Sequence, residues 1–148
     1  MSQLEKKLRQ TETLKRLRSL QKREKMVVEA EMRKSLEEAK AKELRAEALY
    51  QWTMKRTGHK RHAGLAIDPL FYTSGLESME QTFARYREQG EQTAHISTQR
   101  DKAVEELMTS HAHYKLAEDM YKELTLEKEK ETQRHEFLDQ CIVERRSK

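Results

Sequence analysis

Along the second half of the chain, residues suited to a buried seam return at alternating intervals of four and three, the spacing that keeps one stripe on one face of a helix. The series begins Leu76, Met79, Phe83, Tyr86, Gly90, Thr93, Ser97 and Arg100, and runs on through Val104, Leu107, His111, Tyr114, Glu118 and Tyr121. Its ends are apolar and its middle is poor. The first half carries a looser stripe: Leu4, Leu8, Leu14, Leu17, Leu20, Val27, Val28, Met32, Leu36, Ala39, Leu44, Ala48, Leu49 and Trp52. That stripe drifts round the helix with a period nearer 3.6 than a strict 3.5. Two long helices are therefore predicted. Between them lies "GHKRHAGLAIDPLFYTSG", residues 58–75, with three of the four glycines and the only proline.

Each arm opens on the same sequence device. Ser2 is followed three residues later by Glu5, and Ser74 by Glu77. In such a capping box the serine oxygen takes a free N–H of the first turn and the glutamate reaches back to the cap. Asp68 and Pro69 could start one extra turn through "LFYT", because proline is tolerated at the first helical position. The expected fold is all-α: a single antiparallel coiled-coil hairpin over 1–148, with helix 1 about 2–55, a Gly/Pro-containing tip at 56–75 and helix 2 about 76–144. Gly58, Gly64 and Gly75 would supply the permissive dihedrals of the turn.

A hairpin with this tip sets residue i against roughly residue 131 minus i. Like then meets like: Val28 falls by Val104, Leu17 by Tyr114, Leu8 by Leu124, Ala48 and Leu49 by Phe83, and Trp52 over Met79. Ala41 would meet Gly90. The weak segments 33–43 and 88–102 also coincide. Charge supports the same orientation. Residues 1–25 hold nine Lys or Arg against three Glu, while 118–144 hold nine acids against four bases. A parallel dimer would set like block on like block. Beyond the partner of Met1, about eighteen C-terminal residues overhang, roughly 25 Å if helical.

Composition narrows the function classes. With 35% hydrophobic and 38% charged residues, the chain is too polar for a thick core and suits helices that bury a narrow seam. Its single cysteine, Cys141, has no intramolecular partner for a disulfide, which fits a reducing compartment. The opening "MSQLEKKLRQ" is too charged for a signal peptide, and no apolar run approaches a membrane span. A cytoplasmic protein is expected.

Two helices do not readily build a pocket, so no catalytic residue is assigned and an enzyme is not expected. His59 and His62, His111 and His113, and Cys141 lack metal-ligand spacing, and no phosphate-binding glycine loop is present. Neither a metal nor a cofactor is expected. The basic stretch "LKRLRSLQKREK" and a pI near 9.1 keep nucleic-acid binding as a lesser alternative, since the net charge is only +4. A dimeric coiled-coil scaffold is the other. Six of the nine aromatics, Tyr50, Trp52, Phe71, Tyr72, Phe83 and Tyr86, cluster about the tip, which signals either a cemented hairpin end or a partner surface.

Taken together, the leucine-ladder basic helix "TLKRLRSLQKREKMVVEAEM", the broken middle, the following "DPLFYTSGLESMEQTF" and the ending "HEFLDQCIVERR" resemble one family. It is the FliJ-like stalk proteins of bacterial flagellar export, with the YscO-like proteins of type III secretion. The resemblance covers almost the whole chain. It implies a cytoplasmic antiparallel coiled coil, monomeric on its own and peripheral to a membrane-embedded export apparatus. Its partners would be a hexameric export ATPase, the cytoplasmic ring of the export gate and export chaperones. ATPase contact would map onto Lys6, Lys7, Arg9, Leu14, Arg16 and Leu17, with Phe137, Leu138 and Ile142 of the overhang. Gate contact would map onto Tyr50, Trp52, Leu76, Met79 and Phe83. Two registers, Leu76–Glu77 and Met79–Glu80, compete for the apolar–Glu pair that follows the break.

Overall fold

The computed structural model describes residues 2–62 and 69–147, with the side chains of 59–62 excepted. Two helices account for the described chain: α1, Gln3–His62, and α2, Pro69–Ser147. They pack antiparallel as a helical hairpin. At the start of α1, Ser2 Oγ accepts the Glu5 N–H at 3.2 Å, the serine half of the first capping box.

The break is shorter than the expected tip. Residues 56–62 belong to α1 and 69–75 to α2, so Gly58 and Gly75 are helical rather than turn residues. Pro69 is the first residue of α2, where its fixed φ and missing N–H are harmless. Ser74 lies within the first turns of α2, and the second capping box does not mark a start. One glycine costs a helix about 1 kcal/mol against alanine, too little to end one that is packed along its length. Gly64 and Asp68 lie outside the described residues.

Beside a few flanking half-buried residues, Leu14 and Glu47 among them, shielded positions follow an unbroken alternation of three and four in both helices. In α1 they are Leu4, Leu8, Thr11, Lys15, Arg18, Lys22 and Lys25, then Glu29, Met32, Leu36, Ala39, Glu43, Ala46, Tyr50, Thr53 and Thr57. In α2 they run from Tyr72, Gly75, Met79, Thr82 and Tyr86 to Ala117, Tyr121 and Leu124 at the same intervals. The drifting 3.6 stripe expected for the first arm is thus replaced by a 3.5 seam. In α2 half of the expected seam is right: Met79, Tyr86, Thr93, Arg100, Leu107, Tyr114 and Tyr121 are all shielded. The other half moves back one residue. Gly75, Thr82, Gln89, Ile96, Ala103, Ser110 and Ala117 take the seam, while Leu76, Phe83 and His111 stay exposed beside it and Gly90, Ser97, Val104 and Glu118 are half-buried on its flank.

Two contacts fix the register. A Cβ on Gly75 would lie 3.3 Å from Thr57 Cγ2, and Thr93 Oγ1 stands 3.4 Å from the Ala39 carbonyl. Facing residue numbers therefore total 132, one more than expected. That one-residue change sets Arg18 rather than Leu17 against Tyr114, and Thr53 rather than Trp52 against Met79. Ala41 is exposed, and Glu43 is the residue near Gly90, 3.5 Å from where its Cβ would be. Leu8 does face Leu124. The pairing sets large against small: Lys15 on Ala117, Lys22 on Ser110, Glu29 on Ala103, Tyr50 on Thr82, Thr57 on Gly75. Small residues let the backbones approach, and long stems lie across the space they leave.

Contacts divide the hairpin into two compact units, Met1–Val27 with Glu105–Lys148, and Val28–Val104. In the first, Lys15 and Lys22 reach past their small partners to the rings of Tyr121 and Tyr114, each 5.0 Å from the ring centroid. Lys25 donates to Glu106 at 3.0 Å. The basic block is thus accommodated by tyrosine faces and a carboxylate. In the second unit, Leu36 and Ala39 are buried, and Glu29 is held between Arg33 at 3.1 Å and Arg100 at 3.8 Å. The Glu29 side chain is only 12% exposed, so this charge is held mainly by its partners. Arg100 Nε is too far from it for a hydrogen bond and has no other partner among the described residues.

Candidate interaction surfaces

A seam this narrow leaves many large apolar side chains outside it, and their placement defines the surfaces. In the first unit, Leu17 and Lys7 precede seam positions of α1, as Leu14 does, and so line one flank. Leu116, Met120 and Glu123 line the same flank from α2. Lys7, Thr11, Met120, Leu124 and Glu127 border a shallow groove there of about 440 Å³. Lys6, Arg9 and Arg16 point away from the seam and are exposed, Arg16 pairing with Glu12 on its own helix at 3.0 Å. The nine residues expected at an ATPase contact therefore split between a flank, an outer face and the C-terminal turns of α2.

Those C-terminal turns have no α1 residue opposite them. By the register Gln3 faces residue 129, which leaves 130–147 unpaired, close to the expected overhang of about eighteen. Phe137 and Leu138 are exposed there, as is Ile142, and Cys141 beside them is half-exposed and free. The spacing of Phe137 to Cys141 and Leu138 to Ile142 places all four on one helix face.

Higher in the same unit, Tyr114, Glu118 and Lys122 stand one turn apart on α2. Lys122 Nζ meets Glu118 Oε1 at 2.8 Å. Hydrogen bonds from Lys122 first and Tyr114 second hold the Glu118 carboxyl below its usual range. The same hydrogen bonds to Glu118 raise the Tyr114 phenol and the Lys122 ammonium. The group orients the Tyr114 ring on which Lys22 rests.

In the second unit, the five residues expected at a gate contact are not one patch. Tyr50 and Met79 are seam residues; Tyr50 packs against Phe83 at 5.3 Å and against Tyr86 at 6.2 Å between ring centroids. Leu76 and Phe83 follow seam positions and stay exposed on one flank. Trp52 precedes a seam position and lies on the other flank, 58% exposed.

On Trp52's flank the structure forms a groove of about 380 Å³ between the helices. Trp52, Phe71 and Tyr72 give it aromatic walls, Arg56 and Arg85 give it cations, and the other described residues of its lining are Ser, Thr, Gln and Gly. The Arg56 guanidinium lies 5.1 Å from the centre of the Trp52 ring. Of these, Phe71 and Tyr72 belong to the aromatic cluster legible in the sequence. Arg56 and Arg85 were missed, because their role depends on which flank each helix presents. The seven-residue repeat of Phe71, Ser78 and Arg85 was the available signal.

Among the described residues no three His, Cys, Asp or Glu side chains gather where they could hold a metal ion, and no helix is long and apolar enough to cross a membrane. The His59 and His62 side chains lie outside the described residues. No protein-family model, characterised protein or solved structure matches the chain.

Proposed function

We propose that this chain is a non-enzymatic stalk and coupling protein of a bacterial flagellar or type III export apparatus. In this reading it links the hexameric export ATPase to the cytoplasmic ring of the export gate and escorts export chaperones. One observation supports it best: the helical hairpin spends few of its large apolar side chains on its own seam. In the first unit the exposed basic and leucine positions of α1 and the apolar face at Phe137, Leu138 and Ile142 are available to an ATPase. In the second unit Trp52, Leu76 and Phe83 are available to a gate component. The face at Phe137, Leu138 and Ile142 is contiguous, and a contiguous exposed apolar patch marks a protein contact.

The test is light scattering in line with size exclusion, on the 17.7 kDa chain alone and mixed with the export ATPase of the same genome. A monomer that joins the ATPase peak and raises its turnover is expected. A chain that neither joins the peak nor changes turnover overturns the proposal. The exposed Leu17, Leu116 and Met120 on one flank favour a dimeric scaffold as the second reading. A dimer at micromolar concentration that ignores the ATPase is its signature.

A further inference from the structure

The groove beside Trp52 has a composition unusual for this chain. Acids make up 26 of the 148 residues, yet none of the described residues that line it is acidic. Two arginines do, with three aromatic rings and a set of hydroxyls. From this we infer that the groove receives an acidic peptide segment carrying an apolar anchor residue, supplied by a partner protein. The inference rests on the groove and holds independently of the stalk proposal.

The chemistry fits such a segment in each part. An apolar side chain fills the space between Phe71 and Trp52, both 58% exposed, and its neighbouring carboxylates pair with Arg56 and Arg85. Arginine is suited to that task because its planar fork takes a carboxylate through two parallel bonds. Ser74 and Ser78 offer hydroxyls to the peptide backbone. A volume of about 380 Å³ accommodates a few side chains rather than a folded surface. A single-stranded nucleic acid fits less well. It needs an aromatic face free for stacking and a basic track for its phosphates. Here Arg56 covers one face of Trp52, and beyond Arg85 the same flank of α2 continues with exposed Glu88.

Trp52 is the only tryptophan of the chain, so its emission reports directly on the groove. The probe is an acetylated pentapeptide, Asp-Glu-Phe-Glu-Asp, titrated into the full chain at low salt. A saturable change in Trp52 emission is expected, weakening as salt rises. Arg56→Gln and Arg85→Gln should each weaken binding about tenfold, while Arg87→Gln, outside the lining, leaves it unchanged. Far-UV circular dichroism identical to the parent shows that the variants fold. The inference is overturned by no saturable change up to about 1 mM peptide, by equal binding of the peptide with lysines in place of its acids, or by full binding to the double arginine variant. Tighter binding of a ten-residue oligothymidylate, lost in the same arginine variants, overturns it in favour of nucleic acid.

Discussion

Alanine substitution of the three described glycines separates a long-helix hairpin from one with a wide glycine tip. An interior glycine costs a helix about 0.8–1.0 kcal/mol relative to alanine, because the unfolded chain has more freedom to lose. At Gly90 the added methyl would meet only Glu43 Oε1 at 3.5 Å, an ordinary contact, so Gly90→Ala should stabilise by about 1 kcal/mol. At Gly58 no described residue outside its own turn lies within 4 Å of the added methyl. Gly58→Ala should also stabilise, by somewhat less than about 1 kcal/mol because its position is near the end of α1. At Gly75 the methyl would press on Thr57 Cγ2 at 3.3 Å, and Thr57 is tied to the Thr53 carbonyl at 2.9 Å. The helical gain and that compression should nearly cancel, leaving Gly75→Ala within about 0.5 kcal/mol of the parent. Urea unfolding followed at 222 nm measures all three, with unchanged slopes confirming a like-for-like comparison. A loss of more than about 1 kcal/mol for Gly58→Ala would refute the reasoning, since it is what a glycine in a left-handed turn gives.

Three further predictions concern the seam and its flank. Ala39 is 4% exposed with Thr93 close to its carbonyl, so Ala39→Leu should destabilise by about 1–3 kcal/mol; Leu44→Ala, at a position 65% exposed, should stay within about 0.5 kcal/mol in the same urea assay. In the Glu29 cluster, Glu29→Ala leaves Arg100 in the seam without its counter-charge and should cost about 1–3 kcal/mol. Arg100→Met should cost less, because Arg33 still neutralises Glu29; equal losses for the two variants would contradict that account. The lowered Glu118 carboxyl contributes stability that is present above the unfolded carboxylate range and lost as pH falls through its folded-state value. The raised Tyr114 and Lys122 contribute below about pH 10 and lose that contribution as pH rises past it. Thermal melts from pH 2 to 8 should therefore show a shallower acid limb in Glu118→Gln, and superimposable limbs would count against the Tyr114–Glu118–Lys122 network.

The helical class, the antiparallel sense and a register within one residue were legible because they depend on averages: composition, the placement of glycine and proline, and the charge of whole blocks. Symmetry about the break also helped. Extending both helices into the expected tip shifts neither partner, so the pairing survived although the helix bounds did not. The aromatic cluster about the tip was visible for the same reason, as a local enrichment that needs no exact phase, whereas Phe137, Leu138 and Ile142 were reached only through the family resemblance.

Which residues occupy the seam was a different matter. Read alone, the sequence favours Leu76, Phe83, Leu14 and Leu17, because single-helix reasoning ranks positions by side-chain hydrophobicity. Only the second helix decides otherwise. Gly75, Ala103 and Ala117 bring the backbones together, and Lys15, Lys22 and Glu29 fill what remains with their stems. Shifting the seam by one residue turns a different flank outward, and so decides that Trp52 shares a groove with Arg56 and Arg85 while Phe83 lies on the opposite flank. The sequence by itself determined the two helices and how they run. Their packing determined which side chains are left to meet a partner, because size complementarity across a seam belongs to pairs of residues and not to either strand of the pattern.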